Sequence, residues 1–325
     1  MKKYEGFTTL LKHKNDYIGK IYRLKGILRN VEVKITSQGN YFTSAILSDP
    51  TGMIKLTMWN TNLNDTDFKE NQAIEGDFLI NLYNEEVQLS CQNVLSFTLL
   101  NDEEKKTLIK KNPITFKKMK DDVRTILDAI EDEHYKQLCK EIFNEYHKEL
   151  RYYPATEIAH HAYYGGLFYH IYSMLMQAIN MKEKSKEYDL DYDLLITGIL
   201  IHDIGKFKSF EVDRETGIAK INRKGELLGH TIIGVEELSR FILEHNIPMN
   251  EEKLDNLKHI ILSHHYNKES RIPLFAPKFL EAELVHQFNE LDSRLGIHYE
   301  IRKNLEKDEI QKAYLLENRS IINVY

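Results

Sequence analysis

Leu194-Leu195-Ile196-Thr197-Gly198-Ile199-Leu200-Ile201-His202-Asp203-Ile204-Gly205-Lys206 is the stretch on which the reading of this chain turns. An uncharged, strongly apolar helix runs straight into a His-Asp pair. That pair alone is a weak signal. Here it sits in a series of His170, His202-Asp203, His230, His264-His265 and Asp292, separated by 31, 26, 33 and 26 residues. The gaps are helix-sized. From about residue 155 onward the pattern is all helix, over roughly 162–183, 190–204, 226–246, 250–266 and 277–296, and each helix carries one candidate or a pair. His170 lies in a stripe of Leu167, Ile171, Met174 and Ala178. His202 continues Leu195 and Ile199, and Asp292 falls among Phe288, Leu291 and Leu295. A carboxylate on an apolar stripe is expensive unless a cation or strong donors meet it. One buried histidine is usually a satisfied core residue. Several helices presenting His or Asp to one interior are not explained that way, and metal ligation by imidazole and carboxylate resolves the burial of all of them together.

Working outward, residues 100–153 are charged and mostly helical. Lys117–Ile130 and Glu133–Leu150 carry apolar residues at i, i+3 and i+4, and Pro113 marks a boundary. Before that, residues 17–98 read as short strands: Tyr17–Thr36, Tyr41–Ser48, Met53–Trp59, Ala73–Tyr83 and Val87–Phe97. A polar irregular piece, Thr61–Asn71, separates the third from the fourth. Five such strands suggest a small Greek-key barrel of the OB type. The fold class is therefore multidomain, α and β: a five-stranded OB-type barrel over 1–100, a helical bridge over 101–154 and an all-α domain over 155–325.

The third strand alternates. Ile54, Leu56 and Met58 share one face; Lys55, Thr57 and Trp59 share the other. An exposed face with a Lys and the chain's only Trp suits single-stranded nucleic acid, because a base lies on the ring and a phosphate meets the ammonium. Tyr41, Arg23 and Lys25 are added as candidates on neighbouring strands. The competing reading is that Trp59 closes one end of the barrel as core.

Charge is unevenly spread. Residues 1–60 hold ten Lys/Arg and four acids, and the remainder holds 34 and 46. A basic module joined to an acidic one fits local capture of a polyanion, although lysines on strand edges also serve solubility. Only Cys91 and Cys139 are present, so neither a disulfide framework nor a cysteine-rich zinc site is expected. The longest apolar stretch, Leu194–Ile201, is far too short to span a bilayer. No apolar run follows the first residues to make a signal peptide. A cytoplasmic protein with no membrane partner is the expectation.

The order His, His-Asp, His, His-His, Asp resembles the HD superfamily of metal-dependent phosphohydrolases. The resemblance implies that Asp203 bridges two metals, with His170, His202 and Asp292 completing one site and His230, His264 and His265 the other. At the other end, Asp49-Pro50-Thr51-Gly52-Met53-Ile54 resembles a turn of nucleic-acid-binding OB domains. The combination resembles the YhaM family of 3′→5′ exoribonucleases. The stretches that carry this are His161-Ala162-Tyr163-Tyr164-Gly165-Gly166-Leu167-Phe168-Tyr169-His170, His202 to Lys206, Gly229-His230, Ser263-His264-His265, Leu291-Asp292 and Leu316-Glu317-Asn318-Arg319-Ser320. The resemblance implies Mn²⁺-stimulated release of nucleoside 5′-monophosphates from RNA 3′ ends, with some activity on single-stranded DNA. His/Asp donor sets also suit Fe or Co.

Two cations would polarise a phosphoryl group and activate water. Lys206, three residues after Asp203, is the candidate cation for the equatorial phosphoryl oxygens; a helix C-terminal charge is the alternative. His161 precedes Gly165-Gly166, which let backbone approach a phosphate, and it is a candidate for contacting substrate or orienting a ligand. The catalytic candidates are thus Asp203, Lys206 and His161. A small-nucleotide phosphohydrolase or cyclic-nucleotide phosphodiesterase stays open, as does a non-catalytic nucleic-acid-binding protein. The tail Leu316–Ser320 either caps the domain or reaches a neighbouring subunit of a homo-oligomer.

Overall fold

The computed structural model describes residues 6–62, 66–84, 86–91, 96–266 and 275–325, less the side chains of 183–185. The chain forms two compact units, 1–111 together with 297–325, and 112–296. This grouping differs from the three expected segments. The stretch 101–154 is shared between the units, and the last 29 residues, 297–325, group with the β-rich unit.

The β-rich unit opens with two short helices, α1 (Phe7–Lys12) and α2 (Lys14–Tyr17), which bury Phe7, Leu10 and Tyr17. The first strand therefore begins at Ile21, and Tyr17 is a buried helical residue instead of a strand residue. Strands β1 (Ile21–Ile35), β2 (Tyr41–Ser48) and β3 (Met53–Trp59) form an antiparallel meander. β4 (Ala73–Tyr83) returns to pair with β1, and β5 (Glu86–Cys91) pairs with β4 and, in parallel, with β3. The pairings close a ring in the order β1-β2-β3-β5-β4-β1, the connectivity of an OB fold. β6 (Thr98–Leu99) adds to the side of β4. The expected fifth strand, Val87–Phe97, is seen as far as Cys91, and 92–95 lie outside the described residues.

One strand serves two neighbours because β1 is long and bent. Ile21–Ile27 face β4 and Ile27–Ile35 face β2, with a bulge between Arg29 and Glu32 at Asn30 (φ 49°). A bulge bends the strand and tightens its twist, which closure requires. Alternation fills the interior with Leu24, Leu28, Leu47, Ile54, Leu56, Met58, Phe78, Ile80 and Leu89. The Asp49 turn is consumed internally. Asp49 Oδ1 accepts from the backbone N–H of Thr51 (2.7 Å) and Gly52 (2.8 Å), and Oδ2 accepts from Phe7 N–H (2.8 Å) at the start of α1. The unit also holds α3 (Asp102–Thr107), started by an Asn101/Glu104 capping box.

The second unit is helical. α4 (Phe116–Asp128) and α5 (Glu133–Tyr146) pack their apolar stripes into a core shared with α6 (Gly166–Ser185) and α7 (Tyr192–Ile201). Every residue of α7 from Leu194 to Ile201 is buried, so this helix is the centre of the unit. α8 (Lys206–Ser209), α9 (Arg223–Glu244), α10 (Glu251–Ser263) and α11 (Leu280–Arg302) complete it, α11 passing into the first unit after Gly296. The all-helix expectation needs correction at two hairpins: β7 (Phe210–Val212) with β8 (Ala219–Ile221), and β9 (Ile310–Ala313) with β10 (Arg319–Ile322). The tail motif forms the second hairpin's tip. Leu316 is buried with Ile297, Ala313 and Ile321, while Glu317 (φ 53°) and Asn318 (φ 58°) make the left-handed reversal. Among the described residues no helix is long and apolar enough to cross a membrane.

Candidate metal centre

Asp191 caps α7 by accepting from Leu194 N–H, and the helix ends as His202 turns the chain toward α8. His202 Nδ1 lies 2.7 Å from the Ile199 carbonyl, which can only accept, so Nδ1 carries the proton and Nε2 is a lone pair. His264 repeats this at the end of α10, with Nδ1 2.7 Å from the Ile261 carbonyl and Nε2 aimed inward. His170 Nδ1 donates to Asp292 Oδ2 at 2.6 Å, leaving its Nε2 3.3 Å from His202 Nε2. His230 reaches the same place because α9 breaks at Gly229 (φ 70°, ψ 154°). Gly205 brings the His-Asp turn against α9, since a Cβ there would lie 1.9 Å from the His230 carbonyl oxygen.

Asp203 lies between two sets of imidazoles. Its Oδ1 is 3.4 Å from His230 Nε2 and 3.6 Å from His264 Nε2. Its Oδ2 is 3.3 Å from His202 Nε2 and 4.0 Å from His170 Nε2, and accepts from Lys206 Nζ at 2.6 Å. His265 Nε2 is 3.1 Å from His230 Nε2. Asp203 Oδ1 and His264 Nε2 are buried without a hydrogen-bond partner. Burial pushes His264 down to about 4 and His230 to about 3, and it also lowers His170 and His265, so these rings are neutral. Burial raises the Asp203 carboxyl, but the Lys206 ammonium outweighs it and holds it well below the usual carboxylate range. Lone pairs of neutral imidazoles thus converge on an ionised carboxylate, an arrangement that burial penalises and a divalent cation relieves. The donor sets fit such ions: Asp203, His230, His264 and His265 in one group, His170, His202 and Asp203 in another.

Asp292 stands differently from the expectation. It groups with His161 and His170, while His202 groups with His170 and Asp203. Its Oδ2 accepts from His170 Nδ1 and from His161 Nε2 (2.8 Å), and His161 Nδ1 accepts from Tyr163 Oη at 3.0 Å. Burial raises the Asp292 carboxyl, yet the His161 and His170 donors hold it far below its ordinary range. His161 is itself left-handed (φ 51°), and its carbonyl occupies the place of a Cβ on Gly166. Leu291 and Leu295 do not share the Asp292 stripe. Both are exposed, and the inward face of α11 carries His286, Asn289 and Asp292.

Of these inward residues Asp292 was expected, and His286 and Asn289 were missed. His286 Nδ1 donates to the His264 carbonyl at 2.9 Å, and Asn289 Nδ2 lies 3.3 Å from both that carbonyl and His265 Nδ1. His160, pushed down to about 2 by burial, lies 3.0 Å from Ser293 Oγ through Nε2. The available signal was polar residues at 286 and 289, followed three and four residues on by 292 and 293, along one side of the helix.

On the barrel, Trp59 is 45% exposed and sits 5.5 Å from Phe42, its cross-strand partner. Tyr41 is exposed. The basic candidates are each ion-paired: Lys55 with Glu86 (2.6 Å), Arg23 with Asp77 (3.2 Å) and Lys25 with Glu104 (2.8 Å). Trp59 and Lys55 lie on the β2–β3 side, whereas Arg23 and Lys25 lie where β1 meets β4.

Residues 167–320 match the HD domain, and the strands that precede them pair as an OB-type module. Over nearly its whole length the chain is similar to proteins named 3′-5′ exoribonuclease YhaM. It is 27% identical to that of Listeria welshimeri (94% of this chain, 96% of the relative), 28% to that of Bacillus pumilus (93% and 95%) and 28% to that of Bacillus subtilis (88% and 89%). Among solved structures, the second OB-fold domain of replication protein A from Methanococcus maripaludis aligns with 26% of this chain and 87% of its own, at 17% identity and a TM-score of 0.21.

Proposed function

We propose that this chain is a 3′→5′ exoribonuclease that hydrolyses the terminal phosphodiester of single-stranded RNA to nucleoside 5′-monophosphates. The observation that carries the reading is Asp203, whose two oxygens face separate sets of inward-pointing imidazole nitrogens in an HD domain. The likeness to YhaM proteins across barrel and HD domain together supports the substrate class. Two divalent cations, Mn²⁺ in this reading, would polarise the phosphoryl group, lower the pKa of attacking water and stabilise the leaving oxygen. His230, His264, His265 and Asp203 would hold one; His170, His202 and Asp203 the other. Asp292 fixes the ring of His170 through Nδ1 and belongs to the same ligand system. Lys206 neutralises and orients Asp203 and brings a cation to the edge of the site. His161 stands where a proton can pass between Tyr163 and Asp292.

The barrel, residues 1–100, would hold the single strand through Trp59 and Tyr41, with Lys55 exchanging Glu86 for a phosphate. Arg23 and Lys25 fit this role less well, since they lie where β1 meets β4, away from Trp59 on the β2–β3 side. A cytoplasmic location suits an RNA substrate. The test is incubation of 5′-labelled RNA with Mn²⁺ or with EDTA. A ladder of 5′-labelled fragments shortened one nucleotide at a time, with release of 5′-monophosphates and complete loss in EDTA, is expected. Digestion of the label first, or turnover only of free or cyclic nucleotides, would overturn the proposal.

A further inference from the structure

Two adjacent histidines on a regular helix point about 100° apart. His264 and His265 nevertheless crowd together, with ring centroids 4.0 Å apart, and both approach His230. α10 ends at Ser263, with His264 as its C-terminal cap. Past that end the carbonyls lose their helical partners. Two side chains of α11 meet the carbonyl of His264: His286, 7% exposed, through Nδ1–H, and Asn289, 2% exposed, through Nδ2–H.

Asn289 also faces His265. Its Nδ2 is 3.3 Å from His265 Nδ1, so in this arrangement Nδ1 accepts and the neutral ring carries its proton on Nε2, directed at His230 Nε2 3.1 Å away. A ring protonated at Nε2 has no lone pair there for a cation. Half a turn about Cβ–Cγ would present Asn289 Oδ1 to His265 instead. The proton would then sit on Nδ1 and the lone pair on Nε2. The His264 carbonyl would keep a donor throughout, because His286 stays.

We infer that Asn289 is a positioning residue whose amide sets the tautomer of His265, and that His286 holds the His264 carbonyl so that the amide is free to turn. The inference rests on the reading that Asp203, His230, His264 and His265 hold a divalent cation. Metal binding, and not turnover, is therefore the readout. Asn289→Leu keeps the volume and removes both hydrogen-bonding functions, while Asn289→Asp keeps an acceptor for His265 Nδ1–H.

Mn²⁺ titrated into metal-free wild-type protein should fill two sites. In Asn289→Leu one of the two should weaken by about 10–100-fold, the usual cost of losing a group that orients a metal ligand. Asn289→Asp should keep the wild-type affinity, although a buried carboxylate is the worse replacement if Asn289 only fills space. Long-range proton–nitrogen correlation spectra of the wild type give a second measurement that does not depend on how the variants fold. The His265 ring proton should sit on Nε2 without metal and on Nδ1 with Zn²⁺. Unchanged Mn²⁺ affinity in a folded Asn289→Leu protein, or one tautomer in both states, would overturn the inference. Fewer than two Mn²⁺ on the wild type would overturn the site reading, and the inference with it.

Discussion

In the proposed reaction Asp203 would carry more of the chemistry than any other residue, because each of its oxygens faces a different set of histidines. Replacing it by Asn keeps the volume and the Lys206 hydrogen bond through one oxygen, but removes the charge and one acceptor. Asp203→Asn should therefore fold, with a melting temperature near that of the wild type. It should also lose bound metal and RNA hydrolysis together, the rate falling by several orders of magnitude. Metal analysis beside a single-turnover assay checks this, and near-normal turnover by a metal-depleted variant would end the two-cation reading. At this scale the candidate ligands were legible for a physical reason: His170 and His202 interrupt stripes of Leu and Ile that have no other use for a polar atom. Asp292 was found by order in the series, while its assigned neighbours Leu291 and Leu295 point to solvent. Asn289 and His286 left no such mark. A neutral polar residue on a mixed helix face reads as surface until the helix is seen to turn that face inward.

At the scale of elements, the site depends on how closely α8 and α9 approach. Gly205→Ala would drive a Cβ into the His230 backbone, where no side chain can give way. It should destabilise by about 1–3 kcal/mol and, by moving His230 from Asp203, reduce the rate per folded molecule. Gly229→Ala meets nothing within 4 Å but forces an L-residue to φ 70°, costing about 1–3 kcal/mol of backbone strain. Chemical denaturation with parallel rate measurements separates the two: a lower rate is required for Gly205→Ala. α9 is also tied to α5. The buried Glu237 accepts from Tyr146 Oη (2.8 Å) and from Arg240 (2.9 Å). Burial raises this carboxyl, but Arg240 and Tyr146 hold it below its ordinary range. A depressed carboxyl gives its full stabilisation above the unfolded-state value, near 4.3, and loses it as pH falls through the lower folded value. Glu237→Gln should thus cost about 1–3 kcal/mol at neutral pH, and the gap from wild type should close in acid. A gap constant from pH 7 to pH 3 would place the stabilisation elsewhere. The long elements of both units were legible from periodicity. The hairpins Phe210–Ile221 and Ile310–Ile322 were not, because strands of three or four residues with Glu, Gln or Lys between apolar neighbours carry too little alternation to register.

At the scale of the molecule, binding and chemistry are assigned to different units, and this division can be tested. Alternation along β3 foretold which side chains leave the barrel, and the exposure of Trp59 removes the alternative in which it plugs the interior. What alternation could not supply was the partner of each exposed base. Lys55, Arg23 and Lys25 meet Glu86, Asp77 and Glu104, which come from other strands or from α3. Binding a phosphate through Lys55 must therefore displace Glu86, so the aromatic side chain should contribute more than the ammonium. Trp59→Ala should weaken affinity for long single-stranded RNA by about 1–3 kcal/mol, the worth of one stacked base. Lys55→Ala should do less, while lowering the salt dependence of binding by about one phosphate contact. Because Trp59 is exposed, neither change should move the melting temperature appreciably. Hydrolysis of a dinucleotide or a chromogenic phosphodiester, too short to need the barrel, should proceed at the wild-type rate. Fluorescence anisotropy with long RNA, run beside the short-substrate assay, decides the matter. Equal loss on long and short substrates in a stably folded Trp59→Ala protein would move Trp59 from strand capture to the reaction itself.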